Sequence, residues 1–193
     1  MKHAQEPTYS FVILTFLLIL VNTALAWLSV TFFKTGISGV ASVYIAVAFM
    51  ILFTLWFGAY GAIAAYVGTL LAGVLTTDSL LQRPEIAIIW AVAGLLQVLI
   101  PLVAVRTFDV DLTLSGRRDW TIILLFAVLI NNIVGAAWGA FTLSLLGPVD
   151  FARVFSTWLV GNIIIALLIV PLALRFGTEK IQRSKLFVKK YWD

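Results

Sequence analysis

The chain has no cysteine and one histidine, and only 11% of its 193 residues carry charge. Without cysteine there is no disulfide, no thiol nucleophile, no iron–sulfur cluster and no thiolate zinc site. The one histidine, His3, stands in a polar leader ahead of the first apolar run, so histidine ligands and histidine acid–base chemistry are absent from the body of the chain. So few charges cannot coat a soluble domain, in which about 25% of residues are charged. What is there is apolar: 62% of the residues are hydrophobic and the mean hydropathy is +1.08. Such a chain has lipid for most of its solvent. It carries no P-loop, no dinucleotide glycine fingerprint, no G-x-S-x-G and no H-E-x-x-H. Its serines and threonines have no base to activate them, so no enzymatic activity and no cofactor are expected.

A spanning helix needs about 20 apolar residues. Cutting the sequence at its charges predicts six transmembrane helices, at about 9–33, two within the uncharged stretch 35–77, and at about 85–105, 120–146 and 151–174. The stretch 35–77 is too long for one crossing and is expected to turn near Trp56, Phe57, Gly58 and Gly61, where belt aromatics and glycines coincide. The expected fold is an all-α integral membrane protein, with a six-helix transmembrane domain over 1–176 and a basic cytoplasmic tail over 177–193. Lys2, the run 11–21 and the pair Ala24 and Ala26 imitate a signal peptide. The apolar run continues through Trp27, Leu28 and Phe33, and is read as a retained helix.

Basic loops stay on the cytoplasmic side. With the N-terminus inside, Lys2, Arg106, Arg117, Arg118, Arg175, Lys180, Arg183, Lys185, Lys189 and Lys190 are cytoplasmic, against Lys34, Arg83 and Arg153 outside. Both termini are therefore expected in the cytoplasm, and the protein in the cell membrane. The tail mixes Phe187, Tyr191 and Trp192 with its lysines, which suits a helix end on anionic membrane lipid rather than nucleic-acid binding.

Two segments read alike. Trp90 to Gly94, running on to Ile100, Pro101 and Arg106, compares with Trp158 to Gly161, running on to Val170, Pro171 and Arg175. Each follows a small-residue-rich helix and a turn with an acid, a proline and an arginine: Asp78, Arg83 and Pro84, then Pro148, Asp150 and Arg153. Two explanations fit. Helices three and four are a parallel copy of five and six, a device by which transporters build a site between repeats, or any outside-to-inside helix tends to carry Trp at one interface and Pro then Arg at the other.

The third helix carries a stripe of small residues, Gly61, Ala65, Gly68 and Ala72. Such a stripe lets helix backbones approach closely in lipid, either to dock a partner protein or to pack inside the bundle. No ionisable residue lies deep in any span, so the chain is not expected to couple transport to a gradient by itself. The spans hold amides instead: Asn22, Gln97, Asn131, Asn132 and Asn162. An unpaired amide in hydrocarbon is costly, so these must face one another, water or a ligand. Trp90, Trp138 and Trp158 sit above them in the outer halves of their helices.

Aromatic walls over neutral amides suit a flat, polar, largely uncharged ligand arriving from outside; an interfacial aromatic belt with amide glue is the other explanation. Trp138, the deepest of the three, favours a pocket. The candidate substrate-binding residues are thus Trp90, Gln97, Asn131, Asn132, Trp138, Trp158 and Asn162. Tyr44, Asp78 and Asp150 are further polar groups on the outer side. Asp109, Asp111 and Asp119 share a short loop with Arg106, Arg117 and Arg118, and are expected to form a salt-bridged, solvated loop rather than a catalytic centre.

Two stretches carry a likeness to a known family. The run 57–68, with Phe57, Gly58, Gly61, Ala65 and Gly68, and the helix 155–174, with Gly161, Asn162, Pro171 and Leu172, resemble the substrate-binding S components of energy-coupling factor (ECF) transporters. The likeness spans all six helices and implies capture of a vitamin-like micronutrient from outside. It also implies partners: a transmembrane coupling protein and a pair of cytoplasmic ATPases. One departure is plain, because the A-x-x-x-A docking motif of the family's first helix is missing: Leu28 and Val30 stand four residues after Ala24 and Ala26. The sixth helix is also similar to that of MASE-type membrane sensor domains of signalling proteins, which usually have more spans and a fused output domain.

Overall fold

The computed structural model describes residues 9–191. Lys2, His3 and Glu6 of the leader and Trp192 of the tail lie outside the described residues. Five helical stretches are long and apolar enough to cross a membrane, as befits a membrane protein. They are α1 (Tyr9–Phe32), α3 (Ala59–Thr76), α5 (Pro84–Thr107), the unbroken run Arg117–Ser144 and α8 (Phe151–Gln182). The helix expected early in 35–77 is shorter than a crossing needs. This α2 (Ala46–Phe57) has 12 residues, about 18 Å at 1.5 Å per residue, against a hydrocarbon core of about 30 Å.

The chain before α2 is a loop because its sequence breaks a helix. Gly36 and Gly39 adopt φ of +77° and +78°, Lys34 bridges to Ala41, and the loop descends until the Ile45 N–H donates to Ser29 Oγ near the end of α1 (3.0 Å). α2 itself is apolar all round and buried on most sides, as a helix without a polar face must be. It turns into α3 at Gly58, whose φ of +60° suits a residue without Cβ.

The two ends of the bundle are defined by packing. Phe11, Phe57, Tyr60 and Val188 form one cluster, so the start of α1, the α2–α3 turn and the end of the described chain lie together. Val40, Leu80, Ile86, Leu143 and Val154 form the core of the opposite end, beside the short α4 (Asp78–Gln82). The run Arg117–Ser144 begins as α6 (Arg117–Ile123), widens to π-helical geometry over Leu124–Ile130 and resumes as α7 (Asn131–Ser144).

α8 continues well past its expected end at Leu174. Thr178 covers the extension: it accepts from Trp56 Nε1 (3.1 Å) and donates to the Leu112 carbonyl (3.1 Å). The tail then folds back on the bundle rather than only lying outside it. Val188 is fully buried and donates to the Trp56 carbonyl, while the Ala59 N–H donates to the Tyr191 carbonyl.

The loop between α5 and α6 differs from expectation. Among the described residues the ion pairs are Arg83–Glu85 and Arg183–Glu179, not pairs between the loop's acids and arginines. Asp111 accepts from the Thr113 and Ser115 hydroxyls (both 2.7 Å), and Asp119 from the Gly116 N–H (3.2 Å). Arg106, Arg118 and Arg175 donate to the carbonyls of Val188, Phe108 and Thr113. The acids fold the loop on itself, and the arginines tie it and the tail to the bundle.

Glycines set the helix spacing. A methyl group at Gly73 would lie 2.5 Å from the Trp90 ring and one at Gly139 2.5 Å from the Trp158 ring, while Gly68 faces Asn22 and Gly135 faces Gln97. The proposed partner stripe is used in the same way. Gly61 abuts the Phe53 backbone, Ala65 borders Gly94 through its carbonyl, and Ala72 packs with Ala26 and Ala46. All four stripe residues are buried, so in this structure α1, α2 and α5 occupy the face that was a candidate for a partner.

Two predictions follow from these contacts. Gly61→Ala puts a methyl group against backbone that cannot rotate away, so it should destabilise the bundle by about 1–3 kcal/mol. Gly147→Ala, with open space around it, should leave the melting curve in detergent unchanged. Hydrogen bonds from the Ser115 and then the Thr113 hydroxyl hold the Asp111 carboxyl below its usual range. A depressed carboxyl stabilises the loop above its unfolded pKa of about 3.9 and loses that effect as pH falls through the lower folded value. An NMR titration should therefore find Asp111 ionised below pH ~3.9, with Ser115→Ala moving its titration upward.

Candidate functional site

α5 and α8 each repeat one arrangement: a tryptophan near the N-terminal end and an amide further along on the same face. Trp90, Gly94 and Gln97 stand at i, i+4 and i+7, and Trp158 and Asn162 at i and i+4, spacings that place side chains on one side of a helix. α2 and α7 stand between α5 and α8, and the room left encloses a cavity. It is small, about 20 Å³, room for about one water molecule. Trp90, Gly94 and Gln97 line it from α5, Trp158 and Asn162 from α8, and Thr69 from α3, while Val40, Ala41 and Tyr44 of the descending loop complete the wall.

The two indoles meet edge to face, with centroids 5.9 Å apart and planes at 65°, a favourable aromatic geometry. Each is seated by a glycine of the preceding long helix, Trp90 on Gly73 and Trp158 on Gly139. The two halves of the chain thus share a packing unit. Gly94 makes room on α5 for Thr69, and Gly161 lets α8 approach the loop backbone at Ser42.

Four of the seven expected binding residues meet at the cavity: Trp90, Gln97, Trp158 and Asn162. Asn131 and Asn132 stand behind it. Asn132 donates to the Val128 carbonyl (2.8 Å) and accepts from Gln97 Nε2 (2.8 Å), while Asn131 donates to the Gln97 backbone carbonyl (3.1 Å). Both are fully buried, directly after the π-helical widening, a feature often found at functional sites. They hold the cavity's wall and do not line it.

Trp138 is elsewhere. It donates to the Ile89 carbonyl (2.7 Å) on the flank of α5 and lies against the exposed Phe141. The inward face of α7 belongs to Gly135, Ala136, Gly139 and Ala140, which admit Gln97 and Trp158; one residue away, about 100° round the helix, Trp138 is carried outward. Of the polar groups expected on the outer side, Tyr44 lines the cavity, whereas Asp150 caps α8 by accepting from the Arg153 N–H (3.1 Å) and Asp78 opens α4.

Sequence reasoning passed over Thr69, Gly94 and Val40–Ala41. Gly94 had a signal, as the small residue one turn below Trp90. The loop residues had none, because nothing local shows that the loop descends.

The cavity lining carries no Asp, Glu, Lys, Arg or His, and among the described residues no group of His, Cys, Asp or Glu could hold a metal ion. Three polar groups of its lining residues lack partners. Trp90 Nε1, Trp158 Nε1 and Asn162 Nδ2 are buried without a partner, and leaving a buried donor unmet costs about 1–3 kcal/mol. Together the residues set an aromatic corner beside two amides, an uncharged lining of mixed polarity.

The amide relay behind the cavity should be structural as well as polar. Asn132→Leu removes the partner of Gln97 Nε2 and should lower stability by about 1–3 kcal/mol, measured as thermal unfolding in detergent. Comparisons with protein-family models, curated proteins and solved structures find no match for the chain.

Proposed function

We propose that the protein is the substrate-capturing subunit of an ECF-type importer. It would take a vitamin-like micronutrient from the outer side of the cell membrane and depend on a transmembrane coupling protein and a pair of ATPases for uptake. The observation that carries this proposal is the uncharged, aromatic-walled cavity bounded by Trp90 and Gln97 of α5 and Trp158 and Asn162 of α8. Closed pockets with a few convergent polar groups are where small molecules bind. The spans lack the ionisable residues of ion-coupled carriers, which favours a motor on other chains.

Placement of the cavity agrees with capture from outside. The cavity adjoins the descending loop and the outer tryptophans, in the half of the bundle remote from the Phe11–Val188 end, which the distribution of basic residues assigns to the cytoplasm. A membrane sensor domain would use the same cavity, and the two functions part on partners: copurified ATPases and coupling protein belong to an importer, and a signalling output domain to a sensor.

Binding experiments test the pocket. Mass spectrometry of molecules released by denaturing the purified protein should find one compound near stoichiometry, because capture from a dilute supply requires slow release. Asn162→Ala and Trp158→Ala should each weaken its binding about tenfold or more, the loss of roughly one hydrogen bond or aromatic contact. Trp138→Phe should leave it unchanged. Unaltered affinity in both cavity variants would remove this site from the function.

A further inference from the structure

We propose that the end of the bundle to which the tail returns holds one anionic phospholipid, with its phosphate in a basic pocket beside Arg106 and an acyl chain in the apolar groove that adjoins it on α5. The site is separate from the cavity between α5 and α8, and the proposal stands without ligand capture. It comes from two openings of opposite character that meet at Thr107.

The first opening, about 430 Å³, is walled by Arg106, Thr107 and Asp109 at the end of α5 and by Lys189, Lys190 and Tyr191 of the tail. Three cations there face one carboxylate, an excess that favours an anion. The fold puts the cations in place. Arg106 donates to the Val188 carbonyl (2.8 Å). Lys189 and Lys190 stand between two anchored residues: the Val188 N–H donates to the Trp56 carbonyl (3.0 Å), and the Tyr191 carbonyl accepts from the Ala59 N–H (2.9 Å). Both lysines are exposed, so a headgroup reaches them without the bundle opening.

The second opening, about 460 Å³, is almost wholly apolar. Leu99, Val103 and Thr107 follow one another at i, i+4 and i+8 along one ridge of α5. Phe108 and Phe126, with ring centroids 5.7 Å apart, complete the wall, and Phe126 comes from the π-helical stretch. The groove thus belongs to α5 and the run Arg117–Ser144, two of the helices long enough to cross a membrane, so its medium is hydrocarbon. Thr107 lines both openings, and the neighbours Phe108 and Asp109 are divided between them. A free phosphate would use only the basic pocket and an uncharged lipid only the groove. A phosphate joined to an acyl chain uses both, where basic groups meet the end of a spanning helix, a placement that binds anionic headgroups. A zwitterionic headgroup would bring a cation of its own against Lys189 and Lys190.

Native mass spectrometry of the full chain in detergent tests the site, with phosphatidylglycerol and phosphatidylcholine of matched acyl chains as probes and glycerol 3-phosphate as a competitor without chains. One phosphatidylglycerol should be retained with a preference over phosphatidylcholine of about tenfold or more. Lys189→Gln combined with Lys190→Gln should lower that preference about tenfold, since each basic group near a phosphate headgroup counts for most of a factor of ten. Lys180→Gln combined with Lys185→Gln removes the same charge from exposed positions outside the pocket and should leave it unchanged.

Val103→Trp tests the groove. Val103 is 49% exposed, so the larger side chain fills the groove without entering the core, and it should reduce phosphatidylglycerol retention severalfold. Equal retention of the two lipids overturns the proposal. So does equal loss from the two lysine pairs, which would mean diffuse attraction of anionic lipid to a basic face. Displacement of the lipid by glycerol 3-phosphate at equal concentration would reveal a site for free phosphate instead, and undiminished retention in Val103→Trp would remove the acyl chain from the groove; either result overturns the phospholipid as occupant.

Discussion

In lipid the apolar effect does not drive helices together, so close approach and internal hydrogen bonding must. The contacts of α3 with α1 and α5, and of α7 with α5 and α8, each pair a glycine with something large or polar: Gly73 with Trp90, Gly139 with Trp158, Gly135 with Gln97, Gly68 with Asn22 and Gly94 with Thr69. The glycines are the holes and the tryptophans and amides the knobs. Because the knobs enter the bundle instead of facing lipid, the same contacts that hold the helices also gather indoles and amides around one enclosed space.

Polar groups inside the bundle are satisfied only in part. Asn22 donates to the Ala64 and Ala65 carbonyls at the long end of hydrogen-bonding distance (3.4 and 3.5 Å), and Asn131 and Asn132 spend their amides on α5 and on their own helix. The donors of Trp90, Trp158 and Asn162 have no partner, and neither do the buried hydroxyls of Thr23, Thr54 and Thr77 away from the cavity. At the other end of the molecule the arginines donate to carbonyls of the loop and tail, which binds the segments outside the long helices to the bundle.

Much of this was legible in residue order. The charge-free runs located the long helices, Gly58 the turn between α2 and α3, and the i, i+4 and i+7 spacing put Trp90 with Gln97 and Trp158 with Asn162. Trp138 misled because depth along a helix says nothing about azimuth. Whether it faced the cavity depended on which side of α7 the glycines gave to its neighbours. The stripe Gly61, Ala65, Gly68 and Ala72 showed that something approaches α3 closely, and only the packed structure showed that the approaching groups are α1, α2 and α5 of the same chain.

By itself the sequence determined an apolar, all-helical chain without thiols and with helices long enough to cross a membrane, because composition and the spacing of charges act locally along the chain. Only the tertiary structure decided that the segment before α2 descends as a loop, that α2 is too short to cross alone, that the tail returns to the bundle, and that two of three tryptophans and two of four amides in the candidate set line one cavity. Those outcomes depend on contacts between residues far apart in the chain, where the volume of one side chain and the absence of another's Cβ set how close two helices come.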